Sequence, residues 1–428
     1  MLTFYLKSMG CKSNQFEGQI IEEKLISQGF ERVATPDLAD YFILNSCTVT
    51  HKSDNEVMYI LRNHRGKYPN SKIVLTGCFA QVEKDVLQNS PYVDFIFGND
   101  DKFEMAEYLK NDEKNVVNDI MSLDEFNLQV LEDTTKTRIS LKIQDGCNNR
   151  CSYCIIPFAR GKSRSASVEF IVNQINKYAQ NGYKEVVLTG IHIGQWAEET
   201  NGHSLGLLDL LKAIEETEIS RYRLGSLNPL EIPYEVLDFL KTSTKFCPHF
   251  HLSLQSACDS TLKRMNRFYK TEDYLKQIDY IVENFDNPFI GSDVIAGFVG
   301  ETEEEFATTV ENLKKSKLSQ IHTFPYSIRK GTIAEGLVGH LTDEAKTKRA
   351  EVIKSISKEK YDEFLSKNIG TIREVLVEKR PDKKTGMLKG VTDNYITVLL
   401  ENGQDEYKTL QRVELTRVED GRVFGKIV

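Results

Sequence analysis

Residues 145–161 read DGCNNRCSYCIIPFARG and place Cys147, Cys151 and Cys154 in a C-x3-C-x2-C spacing. Three thiolates on one loop can bind three corners of a cubic iron–sulfur cluster, which usually takes four cysteines. The fourth iron then lacks a thiolate from this loop, and a metal with a missing protein ligand keeps a position open for a substrate. The stretch therefore predicts a [4Fe-4S] cluster at which a small molecule is bound and split.

Two other interpretations of this triplet are a zinc knuckle and a set of buried structural cysteines. Zinc sites favour paired C-x2-C elements that are followed by a second pair or by histidines. The nearest downstream histidines, His192 and His203, do not have that spacing. The cluster is therefore the favoured interpretation, and the sequence around the cysteines supports it as well.

Candidate strands recur at a regular spacing around and after this stretch. They read ISLKI, EVVLTG, YRLGS, FHLSL, GSDVIAG and IHTFPYS, and helical segments such as 168–181 and 303–315 separate them. Six βα units predict an incomplete (β/α)6 TIM-like barrel. The cysteines follow its first strand, at the end where barrel enzymes place their chemistry. A charged helix over 343–367 links this barrel to the tail.

The first hundred residues alternate between strand and helix. The candidate strands are MLTFYL, YFILNSC, KIVLTGC and VDFIFGN, and the segments 14–28, 54–67 and 81–88 are predicted to be helical. This alternation predicts a doubly wound parallel sheet covered on both faces. Residues 101–135 are polar and acidic, which indicates a helix and a connecting segment.

Three further cysteines fall at the ends of these N-terminal strands. Cys11 follows the first strand, Cys47 ends the second and Cys78 ends the third. All strands of a parallel sheet end on one side, where ligands of open α/β sheets bind. The pattern predicts a second three-thiolate site, although cysteine at a strand end is also a common small hydrophobe. Cys247 and Cys258, which flank FHLSL, are interpreted as structural thiols.

The tail from residue 371 changes character, with short strands rich in Val and Leu separated by polar turns. Five short strands in so few residues predict a small antiparallel β-barrel, a shape often used for oligonucleotide binding. Five basic residues of the tail are candidates for phosphate contacts: Lys379, Arg380, Lys383, Lys384 and Lys389. A solvated charged face is the alternative interpretation.

Composition narrows the class of protein only a little. A hydrophobic content of 40% and a charged content of 28% are ordinary for a globular protein. No apolar run is long enough to span a bilayer, and the N-terminus lacks the pattern of an export signal. Eight cysteines are too few for a disulfide scaffold, so a cytoplasmic protein without a membrane partner is expected. The formal net charge of -8 argues against a general nucleic-acid coat but leaves room for a local basic face.

Smaller motifs in the barrel carry weaker signals. In DVIAGFVGE, Gly297 and Gly300 can let the backbone approach a planar ligand, or can simply form a turn. Thr302 and Glu305 match a capping box at the start of the next helix. Arg160 is a candidate for contact with a carboxylate or for a plain surface position.

Together these stretches resemble the radical S-adenosylmethionine methylthiotransferases over nearly the whole chain. GCKSNQFEGQ, LNSCTVT and VLTGCFAQ resemble the N-terminal domain of the family, and DGCNNRCSYCIIPFARGKSRS resembles its radical domain. HLSLQSACDSTLKRMNR, DVIAGFVGETEEEF and PYSIRKGTIA resemble later barrel motifs, and the tail resembles the RNA-binding TRAM domain. The segments around Cys11 and Cys47 are most similar to the branch that thiomethylates threonylcarbamoyladenosine next to the tRNA anticodon.

The resemblance implies three domains, at 1–115, 135–365 and 368–428. It implies two [4Fe-4S] clusters, one on each cysteine triplet, with S-adenosylmethionine bound at the open iron of the cluster on Cys147, Cys151 and Cys154. Motif position makes four residues candidates for contact with that cofactor: Tyr153, Ser253, Gln255 and Gly297. It also implies a tRNA anticodon stem-loop as substrate, an electron donor such as a flavodoxin or ferredoxin, and a monomer.

Other functions remain open at this point. Within the family, the substrate can instead be isopentenyladenosine in tRNA or a side chain of a ribosomal protein. Outside it, a non-catalytic protein that carries electrons between two clusters is the alternative. That function needs neither an open iron nor six barrel strands, so the resemblance favours the transferase.

Overall fold

A computed structural model describes residues 1–132, 136–200, 202–404 and 406–428. By contacts the chain divides into two compact units. The first, called the N-terminal unit, comprises Met1–Glu132, Lys142–Ala166 and Ser327–Gly336. The second, called the barrel unit, holds Ser167–Tyr326, Leu337–Val428 and a short segment that ends at Leu141. The domain boundaries expected from the resemblance stay a prediction.

The N-terminal unit is built on a six-stranded sheet in which neighbouring strands pair in parallel. The strands, in the spatial order β2-β1-β3-β4-β5-β6, are β1 (Thr3–Ser8), β2 (Glu31–Arg32), β3 (Tyr41–Ser46), β4 (Lys72–Gly77), β5 (Phe95–Phe97) and β6 (Asn115–Val116). The helices are α1 (Lys12–Ser27), α2 (His51–Lys67), α3 (Cys78–Val82), α4 (Lys84–Leu87) and α5 (Met105–Lys110). All six residues of β3 are buried, as expected for a central strand covered on both faces.

The four predicted strands and the parallel sheet are confirmed here. The edge strands β2 and β6 were not predicted, because two residues carry no periodic signal. The helix expected over 81–88 forms as two short helices that meet at Glu83. The helix expected in 101–135 is α5, followed by β6, and residues 133–135 lie outside the described part of the chain.

The N-terminal unit also contains the loop that carries Cys147, Cys151 and Cys154. The strand β7 (Ile139–Lys142) leads into the loop, which lies between β8 (Gln144–Asp145) and β9 (Arg164–Ser165). These two short strands pair in antiparallel fashion, and α6 (Ile156–Arg160) lies between them. The pairing of β8 with β9 therefore closes the cysteine loop at its base.

The barrel unit arranges its strands in sequence order. They are β10 (Glu185–Thr189), β11 (Glu198–Thr200), β12 (His203–Leu205), β13 (Arg221–Leu224), β14 (Ser226–Leu227), β15 (His249–Leu252), β16 (Phe289–Ala296) and β17 (Gln320–Pro325). One sheet has the order β13-β10-β7 and another β14-β15-β16-β17, while β11 and β12 form a separate hairpin. A parallel bridge between Tyr222 and Phe246 connects the two sheets. The six predicted strand positions and the open, barrel-like architecture are confirmed.

Helices alternate with these strands, as expected for βα units. They are α7 (Val168–Gln180), α8 (Leu207–Glu215), α9 (Tyr234–Thr242), α10 (Asp259–Arg264), α11 (Thr271–Asn284), α12 (Glu303–Lys315) and α13 (Asp343–Asn368). The predicted capping box is present at α12, because the Thr302 hydroxyl accepts from the Glu305 amide and the Glu305 carboxylate accepts from the Thr302 amide. Within the described residues no helix has the length and apolar character needed to cross a membrane.

The tail forms the predicted small barrel, which is closed in the order β18-β19-β20-β22-β21. Its strands are β18 (Ile372–Val377), β19 (Lys389–Thr392), β20 (Thr397–Leu400), β21 (Leu410–Glu419) and β22 (Arg422–Ile427). Four of the pairings are antiparallel, whereas β20 and β22 pair in parallel and so close the barrel. Its buried aliphatic core also takes in Phe364 and Leu365 from the end of α13.

Candidate metal centre

The N-terminal triplet lies at one edge of the parallel sheet. Cys11 caps α1 directly after β1, Cys47 follows β3, and Cys78 follows β4 as the first residue of α3. The strands β1, β3 and β4 are neighbours, and in register they end within one residue of each other. Cys47 and Cys78 are buried while Cys11 reaches the surface. The fold therefore brings together three cysteines that are far apart in sequence.

The thiols of this triplet lie close enough together to affect one another's ionisation. Burial, together with the neighbouring Cys78 and Cys11 thiolates, raises the pKa of the Cys47 thiol to about 11, although Arg160 lowers it in part. Such a thiol stays protonated at neutral pH unless a metal displaces the proton, as coordinating metals do.

Glycines make the close approach of these strand ends possible. Gly10 has a φ of +82°, and a Cβ there would lie 2.8 Å from the Cys47 Sγ. Gly77 has a φ of +92°, and a Cβ there would lie 2.4 Å from the Ser46 carbonyl oxygen. Residues with side chains rarely adopt this backbone conformation, so both positions require glycine. The Gly-Cys pairs are therefore part of the construction of the site.

The triplet of Cys147, Cys151 and Cys154 is held by polar contacts at the base of its loop. The Gln144 side chain donates to the Asp145 and Gly146 carbonyls and to the Ser163 hydroxyl at 2.8–2.9 Å. The Cys147 amide donates to the Gly161 carbonyl at 3.1 Å. Gly146 again precedes a cysteine with a positive φ of +70°, and a Cβ there would lie 1.8 Å from the Lys162 carbonyl oxygen. Cys147, Cys151 and Cys154 all remain partly exposed.

Both triplets fit an iron–sulfur cluster by the chemistry of their donors. Every cysteine in the described residues is a free thiol, so none of the six is consumed in a disulfide. Across the part of the chain that the structure describes, no three His, Cys, Asp or Glu side chains converge on a single metal ion. In a cubic cluster each cysteine binds a different iron, so its ligands need not converge on one point. Each set of three thiols would hold one cluster.

A group of buried charges next to the N-terminal triplet was not predicted. Glu17, on α1, is almost fully buried and accepts hydrogen bonds from Lys102, Lys142 and Arg160 at 2.6–2.9 Å. Its pKa is well below the ordinary value, because these cations outweigh the effect of burial. Arg160 forms a bidentate pair with Glu17 and is itself buried, so it is not the plain surface residue that the sequence left open.

Asp145 joins the same group from the start of the cysteine loop. Its carboxylate lies 2.8 Å from the Lys142 ammonium and 3.1 Å from the Arg160 guanidinium. These cations overcome the effect of burial and hold the pKa of Asp145 at about 2. Glu17 and Asp145 belong to the GCKSNQFE and DGC segments, so an acidic residue beside a cysteine motif was the available signal for them.

Asn99 connects the buried charges with the sulfur ligands. Its side-chain amide donates to the Cys78 Sγ at 3.5 Å and to the Ala159 carbonyl at 2.6 Å. The amide oxygen accepts from the Lys102 ammonium at 2.9 Å. The segment 159–161 thus contacts Asn99 at one end and the Cys147 amide at the other, so it links the surroundings of the two triplets.

A buried arginine supports the loop after Cys47. Arg329 is buried, lies 2.6 Å from the Asp54 carboxylate and donates to the Thr48 hydroxyl at 2.7 Å. The Thr48 hydroxyl in turn donates to Asp54 at 2.8 Å. The PYSIRKGTIA motif therefore contributes to the N-terminal triplet's surroundings.

The candidates for contact with S-adenosylmethionine have varied environments. Tyr153 is half-buried in the cysteine loop of the N-terminal unit. In the barrel unit the Ser253 hydroxyl lies 3.1 Å from that of Ser226, and Gln255 has a positive φ of +70°. A Cβ at Gly297 would lie 2.6 Å from the Lys346 side chain, so this glycine permits close packing against α13. Their contact with the cofactor stays a prediction.

The basic residues predicted to contact RNA lie on and around the loop between β18 and β19. Lys379, Arg380, Lys383 and Lys384 are exposed. Lys389 is half-buried, 3.6 Å from the Glu378 carboxylate. The Asp382 side chain accepts from the Lys384 and Thr385 amides and so orders the loop. The two remaining cysteines, Cys247 and Cys258, are buried in the barrel unit.

Comparison with known families covers both units. The radical SAM superfamily model matches residues 141–313, and the model described as uncharacterized protein family UPF0004 matches residues 3–98. Among solved structures, the radical S-adenosylmethionine methyltransferase TsrM from Kitasatospora setae has a TM-score of 0.55. It is 14% identical and the match covers 75% of this chain and 72% of that one, so the likeness is one of fold.

Relatives with assigned names match almost end to end. The threonylcarbamoyladenosine tRNA methylthiotransferase MtaB of Aquifex aeolicus is 37% identical over 95% of this chain and 98% of its own length. MtaB of Thermotoga maritima is 35% identical over 92% and 91%. The tRNA-2-methylthio-N(6)-dimethylallyladenosine synthase of Thermodesulfovibrio yellowstonii is 33% identical over 89% and 88%. The chain therefore belongs to the radical S-adenosylmethionine methylthiotransferase family and is a transferase.

Proposed function

We propose that this enzyme acts on tRNA and converts N6-threonylcarbamoyladenosine next to the anticodon to its 2-methylthio derivative. The observation that carries the proposal is the identity of 37% and 35%, over more than nine-tenths of the chain, with relatives named for that reaction. A cytoplasmic location follows from such a substrate.

The ends of the barrel strands support a polar rather than an apolar substituent on the adenine. His192 lies just after β10, contacts Glu231, and is 2.7 Å from the Asn228 amide that follows β14. Arg267 donates to the Asn228 side chain at 2.8 Å and to the Ser253 carbonyl at 3.1 Å. Barrel enzymes place substrate at the carboxyl ends of their strands.

Such a cluster, in contact with the substituent on the adenine, would discriminate between the two candidate nucleosides. A site lined by hydrogen-bonding groups binds an apolar substituent poorly, because that substituent displaces water from them and offers no hydrogen bond in exchange. Threonylcarbamoyladenosine offers a hydroxyl, amides and a carboxylate, whereas isopentenyladenosine offers only an apolar chain at the same position. The cluster therefore favours the first nucleoside.

The six cysteines would hold the inorganic groups that the reaction needs. Cys147, Cys151 and Cys154 would hold the cluster that binds S-adenosylmethionine, and Cys11, Cys47 and Cys78 would hold a second one. When bound, these groups supply one-electron cleavage of a carbon–sulfur bond, hydrogen abstraction from an unactivated adenine carbon, and the sulfur that is inserted. The protein orients the groups and excludes water, and a flavodoxin or ferredoxin is the expected class of electron donor.

An unpaired loop base is a suitable target for such a site. Splaying a base out of a loop costs less than extracting it from a duplex, so RNA-modifying proteins favour loops. The small barrel would contact the phosphates of the stem-loop.

Nucleoside mass spectrometry tests the substrate directly. The reduced, reconstituted enzyme is incubated with two matched anticodon stem-loops that carry either threonylcarbamoyladenosine or isopentenyladenosine. We expect a methylthio mass gain only on the first. A gain only on the second would assign the enzyme to the dimethylallyladenosine branch, which the 33% identity with the Thermodesulfovibrio relative keeps as the second candidate. Tests with ribosomes serve as the control for a protein substrate.

A further inference from the structure

We propose that Lys102 and Arg160 are positioning residues whose positive charge, transmitted in part through Asn99, stabilises the electron-rich state of the centre on Cys11, Cys47 and Cys78. This inference rests on the proposed function, because it assumes that these cysteines hold a cluster. It concerns only residues of the N-terminal unit.

The first observation is an imbalance of buried charge. Three cations, Lys102, Lys142 and Arg160, face only two carboxylates, Glu17 and Asp145. These five groups therefore carry one net positive charge. Arg164, with a guanidinium 3.9 Å from Asp145, adds to the surplus.

The surplus is costly for the isolated protein. Lys102 is fully inaccessible and Arg160 is 1% exposed, so neither charge is stabilised by water. Removing a charge from water is unfavourable even after the surroundings relax, so an excess of buried cations needs a nearby anion. Burial lowers the pKa of Lys102, which expresses the same cost. A cluster that holds three thiolates supplies negative charge at the adjacent edge of the sheet.

The second observation is a continuous contact from the cations to sulfur. The Lys102 ammonium donates to the Asn99 oxygen at 2.9 Å, and the Asn99 amide donates to the Cys78 Sγ at 3.5 Å. The ammonium polarises the amide and strengthens the hydrogen bond that the sulfur accepts. Net charge and hydrogen bonds to sulfur are two of the factors that set the potential of an iron–sulfur centre. In this arrangement the positive charge and the hydrogen bond to sulfur both act on the centre of the N-terminal triplet.

The third observation is that these buried charged residues come from several segments that are far apart in sequence. Glu17 comes from α1, Lys102 from the turn before α5, and Lys142 and Arg160 from either side of the cysteine loop. Glu17 and Arg160 are 143 positions apart and still form a bidentate pair. A group of this kind fixes the position of the charge relative to the strand ends.

The test isolates the N-terminal centre in the full-length chain. A reference protein carries Cys147→Ala, Cys151→Ala and Cys154→Ala and is reconstituted anaerobically. Its iron content and its midpoint potential, followed by electron paramagnetic resonance, are the two measurements. A reference that binds no iron would overturn the proposed second cluster and this inference with it. About four irons per chain establish the centre, and only then do the potentials decide the role of the charges.

Three variants of the reference protein separate charge from structure. Lys102→Met removes one positive charge, and Asn99→Asp places a negative charge beside Cys78 without a change of shape. Each should lower the equilibrium constant for reduction about tenfold, or about 59 mV for one electron. The double variant Lys102→Met with Glu17→Gln restores the net charge and should return the potential to the reference value. Lys110→Met, on the exposed face of α5, is the control for a distant lysine and should leave the potential unchanged.

The pattern of signs decides the outcome. Potentials that are equal in the reference, Lys102→Met and Asn99→Asp would overturn the proposal. So would a double variant that falls as far as Lys102→Met, because a purely structural role predicts added damage from the second substitution. If Lys102→Met binds no iron, Asn99→Asp gives the decisive potential, since it keeps a partner for the Lys102 ammonium.

Discussion

At the scale of single residues, the site depends on glycines as much as on cysteines. Gly10, Gly77 and Gly146 each precede a cysteine, each has a positive φ, and each faces an atom closer than a Cβ tolerates. Elsewhere in the unit, Gly29 has the similar φ of +89° but faces nothing within 4 Å. The chain thus offers a matched pair that separates backbone strain from steric exclusion.

Gly10→Ala should remove iron from the N-terminal centre, because the new Cβ would collide with Cys47. Both Gly10→Ala and Gly29→Ala should lose about 1–2 kcal/mol of unfolding free energy from the left-handed backbone. Only Gly10→Ala should also fall from about eight to about four irons per chain. Equal iron contents in the two variants, measured after anaerobic reconstitution, would contradict the steric role.

Removal of the three N-terminal thiols has a separate expected result. The triple variant Cys11→Ala, Cys47→Ala and Cys78→Ala should bind about four irons in place of about eight. Its reductive cleavage of S-adenosylmethionine should persist, because Cys147, Cys151 and Cys154 are untouched. The matched control is the reciprocal variant of those three cysteines, which should bind the same amount of iron and lose the cleavage. A wild-type content of about four irons would remove the second cluster.

At the scale of elements, a buried ion cluster connects the large barrel with the small one. Arg221 and Arg223, on β13, both bind Glu185 of β10 at 2.7–2.9 Å. Their other nitrogens donate to backbone carbonyls of residues 391–393 in the small barrel at 2.5–2.9 Å. Burial opposes ionisation of Glu185, but Arg223 and Arg221 outweigh it and hold its pKa at about 2. The carboxylate thus aligns both arginines for contact with the tail.

Glu185→Gln should destabilise this contact strongly, since it leaves two buried guanidiniums without their anion. The expected loss is about 3–5 kcal/mol, measured as a shift of the denaturation midpoint. Glu374→Gln is the control, because Glu374 also lies near Arg221, at 3.4 Å, but is half exposed. A partly exposed pair of this kind contributes about 1 kcal/mol or less. Equal shifts for the two variants would contradict the role given to burial.

The interaction of Glu185 with Arg221 and Arg223 predicts how the stability depends on pH. The pKa of Glu185 is lower in the folded protein than in the unfolded chain, so its contribution is complete above the ordinary carboxyl range. It is lost as the pH falls toward about 2. The difference in stability between the parent and Glu185→Gln should therefore shrink on acidification, and a difference that grows would contradict the assignment.

At the scale of the whole molecule, recognition of RNA is expected to be separable from the chemistry. Lys383 and Lys384 lie exposed on an ordered loop of the small barrel. The chain as a whole has a formal net charge of -8, so affinity for RNA must come from local basic surface.

The double variant Lys383→Glu and Lys384→Glu should weaken binding of the anticodon stem-loop by about tenfold or more at moderate salt. Cleavage of S-adenosylmethionine in the absence of RNA should be unchanged. Lys348→Glu with Lys354→Glu, on the exposed face of α13, changes the net charge equally and should leave binding nearly intact. Equal losses for the two doubles, measured by fluorescence anisotropy, would show that the loop has no special role.

The sequence by itself determined the local motifs and the order of elements. The spacing of Cys147, Cys151 and Cys154 is confined to eight residues. The alternation of strands and helices follows from the hydrophobic period. Placement of Cys11, Cys47 and Cys78 at one sheet edge also followed, because parallel strands end on the same side. Two-residue strands such as β2 and the parallel closure of the small barrel have no such local signal.

Only the tertiary structure decided which charges meet. No period or spacing in the sequence relates five residues to one another: Glu17, Lys102, Lys142, Asp145 and Arg160. The fold of the N-terminal unit brings α1, the turn before α5 and the cysteine loop together, and burial then forces their charges to pair. Local chemistry is written in the order of residues, whereas the pairing of buried charges depends on distances that exist only after the chain has folded.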